Sequence, residues 1–197
     1  MKLTSKGLAT KTRILEHAAE LIYAHGVHGT NNELLRQAAG VSGSQLGHYF
    51  PDKQSLVLAV IDWQAQHVID FHTDGRFGGL DSIESLRGWA RFYIGYERAY
   101  LEGCTLGSLA SEIVKTDLDV HDRLASGFDR WEEVFRAGLD RMRERGALRP
   151  DADPVRLTHL LMAAFQGGLL LAQIARDATP LRDALTAAID HVETFTR

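Results

Sequence analysis

The chain has 197 residues, room for one or two domains with ordinary cores, and its 45% hydrophobic and 24% charged content is that of a soluble globular protein. Its one cysteine, Cys104, excludes an intrachain disulfide framework and fits a reducing compartment. No uninterrupted apolar run approaches the roughly 18 residues of a membrane span, and "MKLTSKGLATKTR" has no apolar signal core, so a cytoplasmic protein without membrane contact is expected.

The formal net charge of −4 is unevenly spread. Residues 1–56 carry a balance of +2 and the remainder −6, a mildly basic head on an acidic body. The four prolines (51, 150, 154 and 180) fall where helical patterns start or stop, and no stretch alternates with period two. The expected fold is therefore all-α, with about nine helices.

The first helix is expected over about 10–25, with Ile14, Leu15, Ala18, Ala19, Leu21 and Ile22 on one face and a stop at Gly26. The second covers about 31–39, capped by Thr30 in a T-x-x-E box or equally by Asn31. Gly40 turns the chain, and Ser42 with Gln45 forms an S-x-x-Q box that opens a short third helix ending near Tyr49. A fourth starts after Asp52 and ends before "HTDGRFGGLDS". Five more are expected near 81–101, 105–115, 117–145, 154–176 and 180–195.

The second and third helices with "AGVS" between them make a helix-turn-helix. Leu46 and Phe50, four apart, enter the core, which leaves Ser44, Gln45 and His48 outward, with Tyr49 at the margin. Those donors and acceptors suit base edges in a major groove. The third helix is polar because its free face is for DNA, although a capped, exposed helix carries the same residue types without that role.

Residues 8–56 resemble the DNA-binding head of the TetR family of bacterial repressors, through "RILEHAAELIYAHGVHGT", "LLRQAAGVS" and "HYFPDKQSL" in that order and spacing. The body of about 140 residues has the family's size, and "QGGLLLAQIARDATPL" resembles the C-terminal helices of one subgroup. The resemblance implies a three-helix helix-turn-helix DNA-binding domain over 1–54 and a helical effector-binding and dimerisation domain over 55–197. It implies base or phosphate contacts from Gly43, Ser44, Gln45, His48 and Tyr49, a phosphate contact from Lys53, and backbone contacts from Asn32 and Arg36. The arm with Lys2, Lys6 and Lys11 adds sequence-independent attraction. Position 47, usually an aromatic that touches a phosphate in that family, is Gly47 here.

In the body, aromatic residues at helical spacing serve as core first and ligand wall second. The resemblance implies a pocket for a small-molecule effector, apolar or aromatic, with candidates His67, Trp89, Tyr93, Tyr96, Phe128, Trp131, Phe165 and Gln166. Ala164, Gly168, Ala172 and Ala175 make a strip of small residues, and Leu185 and Ile189 a second stripe, where a homodimer interface is expected. Cys104 opens a helix, where a dipole lowers a thiol pKa, but no cation lies within five residues before it, and it is read as packing. The His25/His28 pair straddles Gly26, which spoils metal geometry, and no catalytic constellation or cofactor motif is present, so neither an enzyme nor a metal site is expected. The reading is a one-component DNA-binding transcriptional regulator, a repressor released from a palindromic operator by a small-molecule effector. The alternative is a helical ligand-binding or interaction protein that has lost DNA binding, supported by Gly47.

Overall fold

A computed structural model describes residues 4–197, so Lys2 of the basic arm lies outside the described residues. Two compact units are present. The first comprises the chain up to Gln66 together with Thr105–Gly127, and the second His67–Cys104 together with Phe128–Arg197.

The first unit begins with α1 (Ser5–Gly29). It starts earlier than the apolar pattern indicates because Thr4 caps it, its hydroxyl accepting from Gly7 N at 3.2 Å. At Gly26 the backbone breaks to φ 74°, and a last turn follows. Ile14, Leu15, Ala18, Ala19 and Ile22 are buried, as the 3.6-residue period requires.

In α2 (Asn32–Ala39) the cap is Asn31, which accepts from Leu34 N at 3.0 Å, whereas the Thr30 hydroxyl donates to the Gly26 carbonyl. Gly40 takes the left-handed conformation at φ 62° and ends the helix. In α3 (Gly43–Tyr49) both arms of the Ser42/Gln45 capping box are formed. Asp52 caps α4 (Lys53–Thr73), accepting from Ser55 N at 2.7 Å.

The helix expected over 81–101 is broken at Tyr96 into α5 (Ile83–Gly95) and α6 (Glu97–Glu102). The other expected helices are present as α7 (Thr105–Ile113), α8 (His121–Glu144), α9 (Pro154–Ala175) and α10 (Thr179–Glu193). Among the described residues the isolated β pairing is a single bridge between Leu148 and Thr196.

Within the first unit α7 packs on α1, and one contact ties them closely. Glu112 Oε1 accepts from Val27 N at 2.5 Å and from His28 N at 3.4 Å, serving the amides that the Gly26 break leaves open. Within the second unit α10 lies along α9 and also against α5. A 3-10 turn, Gly78–Leu80, presses its backbone onto α8, where a Cβ on Gly138 would stand 2.3 Å from the Leu80 carbonyl oxygen. By length and composition alone α9 is apolar enough to cross a membrane. Its inner face is instead core: Leu161, Phe165, Leu169 and Ala172 are buried.

Candidate nucleic-acid interface and aromatic site

The three helices α1 to α3 are fixed by Leu35, Ala39, Val41, Leu46 and Phe50, all buried. That leaves Asn32, Gly43, Ser44, Gln45, His48 and Lys53 exposed on the free side, with Arg36 and Tyr49 half-buried. Arg13 Nε donates to the Ala39 carbonyl at 2.8 Å, which ties α1 to the end of α2.

Several of these groups are engaged with one another. Gln45 Oε1 accepts from Ser42 N at 2.9 Å, so its carboxamide nitrogen is the end left to donate. The Ser44 and Ser42 hydroxyls lie 2.9 Å apart, and Arg36 pairs with Glu33 at 2.9 Å. The Arg36 Nε is buried with no acceptor among the described residues. Around Gly47 nothing lies within 4 Å of where a Cβ would be. The position is open surface, so steric need does not explain its glycine.

The second unit holds an aromatic cluster with a histidine at its centre. His72 is 2% exposed, and the rings of Trp131, Phe135, Phe77, Tyr93 and Trp89 lie 5.5 to 6.5 Å from its own. Its Nδ1 lies 2.7 Å from the Val68 carbonyl, which places the proton there, and Nε2 accepts from Trp89 Nε1 at 3.1 Å. Burial pushes the imidazole pKa down to about 4, so it is neutral at pH 7. Burial likewise pushes the Tyr93 phenol up, and Cys104 beside it adds to the shift.

Four of the sequence candidates meet in this cluster: Trp89, Tyr93, Trp131 and Phe165, with Tyr93 and Phe165 rings 4.6 Å apart. Phe128 touches its edge through Trp131 at 6.0 Å, and Tyr96, 45% exposed, lies with its ring tilted 5.7 Å from that of Phe92 at its rim. Gln166 is half-buried with its amide nitrogen inside. His67 is exposed, and the buried histidine is His72, five residues on. Sequence reasoning passed over it because "DFHTD" reads as a polar helix end. The signal was its register with Ile61, Gln64, Ala65 and Val68 on one face of α4.

Much of the expected dimer strip lies inside the chain. Gly168, Ala172, Leu185 and Ile189 are buried inside the single chain, Ala164 is half-buried, and only Ala175 is exposed. A Cβ on Gly168 would stand 3.0 Å from Leu181 Cα. At Gly168 the strip admits α10 of the same chain. The outward face of α9 carries larger side chains: Leu170, Leu171 and Ile174 are 57%, 56% and 73% exposed, with Ala163 and Gly167 alongside.

A capped helix-turn-helix with a polar recognition helix, joined to an all-helical body, defines a DNA-binding transcriptional regulator. Comparison with known proteins is specific. Residues 14–60 match the profile of bacterial regulatory proteins, tetR family, and residues 82–188 that of the tetracyclin repressor-like C-terminal domain. A Lactococcus lactis protein described as an HTH-type transcriptional regulator in the lacX 3′ region is 29% identical over 87% of each chain. The HTH-type transcriptional repressor AcnR of Corynebacterium efficiens is 25% identical over 98% of this chain and 95% of its own. A crystal structure of a TetR transcriptional regulator from Chloroflexus aurantiacus superposes with a TM-score of 0.79 at 27% identity, covering 98% of this chain and 99% of the other. The chain belongs to the TetR family of transcriptional regulators. Membership brings DNA binding, a C-terminal domain for ligand binding and dimerisation, and no enzymatic activity.

Proposed function

We propose that the protein is a cytoplasmic homodimeric repressor, released from a palindromic operator when an apolar or aromatic compound enters the cluster around His72. The observation that carries this reading is the pairing of an exposed polar recognition helix with a histidine-centred aromatic cluster elsewhere in the same chain. Gly43, Ser44, Gln45 and His48 read or approach bases, Tyr49 and Lys53 hold phosphates, and Asn32 and Arg36 position the backbone. The functional division falls at 54/55, and α4 runs across it as one continuous helix.

The dimer forms through the outward face of α9, where Ala163, Gly167, Leu170, Leu171 and Ile174 recur at helical spacing. Two recognition helices must stand about 34 to 36 Å apart to enter successive major grooves. A change of a few ångströms in that separation therefore releases DNA, and a coupling of about 1 to 3 kcal/mol shifts affinity roughly 5- to 150-fold.

Selection from a random DNA library with the purified protein tests the reading. Recovery of one palindrome, with weakened binding in Gln45→Ala and His48→Ala, is expected. Recovery of no sequence, with or without candidate effectors, refutes it. Because Gln45 also caps α3, Gln45→Glu is the companion variant: it keeps the cap and changes the presented donor into an acceptor.

A further inference from the structure

The aromatic cluster has more hydrogen-bond donors than acceptors. His72 spends its single lone pair on the Trp89 N–H, and the Tyr93 hydroxyl at 3.4 Å competes for the same nitrogen. Trp131 is 1% exposed, its ring 5.5 Å from that of His72 and 5.9 Å from that of Phe165. Its Nε1–H has no acceptor among the described residues. Gln166, which follows Phe165 on α9, buries an Nε2 in the same condition. A buried indole N–H ordinarily finds an acceptor, so the orphan indole inside the cluster and the orphan amide on the residue after Phe165 call for an explanation.

The charged groups at the rim are paired with one another. Asp74, whose field reaches His72, is committed to Arg76 at 2.5 Å, and the Arg76 guanidinium lies 4.0 Å above the Phe71 ring. Arg76 is thus paired with Asp74, and Arg91 likewise with Glu84 at 2.6 Å. A cleft of about 690 Å³, lined by Asp74, Arg76, Phe77, Gly88, Arg91 and Phe92, borders the cluster through Phe77 and Phe92, whose rings lie 5.7 and 5.4 Å from that of Phe71.

Resting on the reading of this cluster as the effector site, we propose that the effector is a planar aromatic compound bearing carbonyl or phenolic oxygens, which accept from Trp131 Nε1–H and Gln166 Nε2–H. Aromatic walls alone also suit a lipophilic cation. The orphan donors disfavour one.

Three naphthalenes of matched shape make the test: 2-acetylnaphthalene carries the acceptor, 2-isopropylnaphthalene lacks it, and trimethyl(2-naphthyl)ammonium is the cation. Binding to the full-length protein is followed by calorimetry. The ketone is expected to bind at least about tenfold more tightly than the hydrocarbon, as one buried hydrogen bond implies. Trp131→Phe and Gln166→Met should each shrink that advantage, read as the ketone-to-hydrocarbon affinity ratio within the same variant. Should Trp131→Phe fail to fold, Gln166→Met decides. Equal affinities, preference for the cation, no binding of any probe, or an advantage unchanged in the folded variants overturns the proposal. DNA release is scored separately. A ketone that binds through Trp131 and Gln166 but leaves DNA in place supports the donor assignment and counts against the site's role in release. Failure of the library selection counts against DNA regulation alone.

Discussion

Replacing Glu112 with alanine should loosen the start of the last turn of α1. The carboxylate accepts from Val27 N at 2.5 Å, and Val27 is completely buried, so neither water nor another side chain replaces the lost acceptor without rearrangement. An orphaned buried amide costs about 1 to 3 kcal/mol, and about 2 kcal/mol is a fair centre for one strong bond with a longer second. In a chain of this size that lowers the melting temperature by roughly 4 to 8 °C. Glu112→Gln keeps an acceptor oxygen and should lose about half as much. Circular dichroism melts give the global effect, and hydrogen exchange at the Val27 amide gives the local one. Gly26→Ala supplies a cross-check, since its Cβ would stand 2.8 Å from Glu112 Oε1 and φ is 74°. Combined with Glu112→Ala it should cost less than the two separately, because the clash goes with the carboxylate. Wild-type melting and unchanged Val27 exchange in Glu112→Ala would refute the reasoning.

Gly138→Ala should destabilise by about 3 kcal/mol or more, read as a fall in denaturation midpoint, because backbone and not a flexible side chain stands 2.3 Å away. The depressed His72 pKa makes stability greatest above about pH 6.5 and lowers it by about 3 kcal/mol as pH falls to about 4, since the unfolded chain takes up the proton first. Denaturant titrations across that range should show this loss shrinking in His72→Asn, and an unchanged slope would exclude His72 as its source. Leu171→Glu with Ile174→Glu should give a folded monomer in sedimentation, whereas Gly168→Trp should disrupt the α9–α10 contact within each chain; a dimeric double variant places the interface elsewhere. Gly47→Tyr has open space to occupy and should raise affinity for all DNA a few-fold in gel-shift titrations; unchanged affinity would show that an aromatic there gains no phosphate contact.

Much of the fold was legible because it is written in local chemistry. Ser42 with Gln45, Asp52, Pro154 and Gly40 act within a few residues of themselves, and each stands where its type predicts. The break at Tyr96 was hidden, since helix-forming residues flank it and Gly95 alone hints at it. The strip of small residues is ambiguous for a different reason. α9 is apolar nearly all round, so a strip of small residues shows that some helix approaches closely, without showing whose. Four of the aromatic candidates lie in one cluster, and the buried polar group among them, His72, becomes visible only when α4 is followed past its apolar run.

Glu112 and Gly26 also bear on how such regulators are recombined. Engineers often treat a DNA-reading head as an interchangeable cartridge, cut at the end of its third helix and spliced to a new sensor. Here the cartridge has a fastening outside its own stretch of sequence: an acid 85 residues downstream closes the amide left bare by the break at Gly26. A chimera that takes the first 54 residues inherits the open amide but leaves behind the carboxylate that closes it. Grafts from this protein should carry α7 along, or choose a recipient whose corresponding helix already places an acid there.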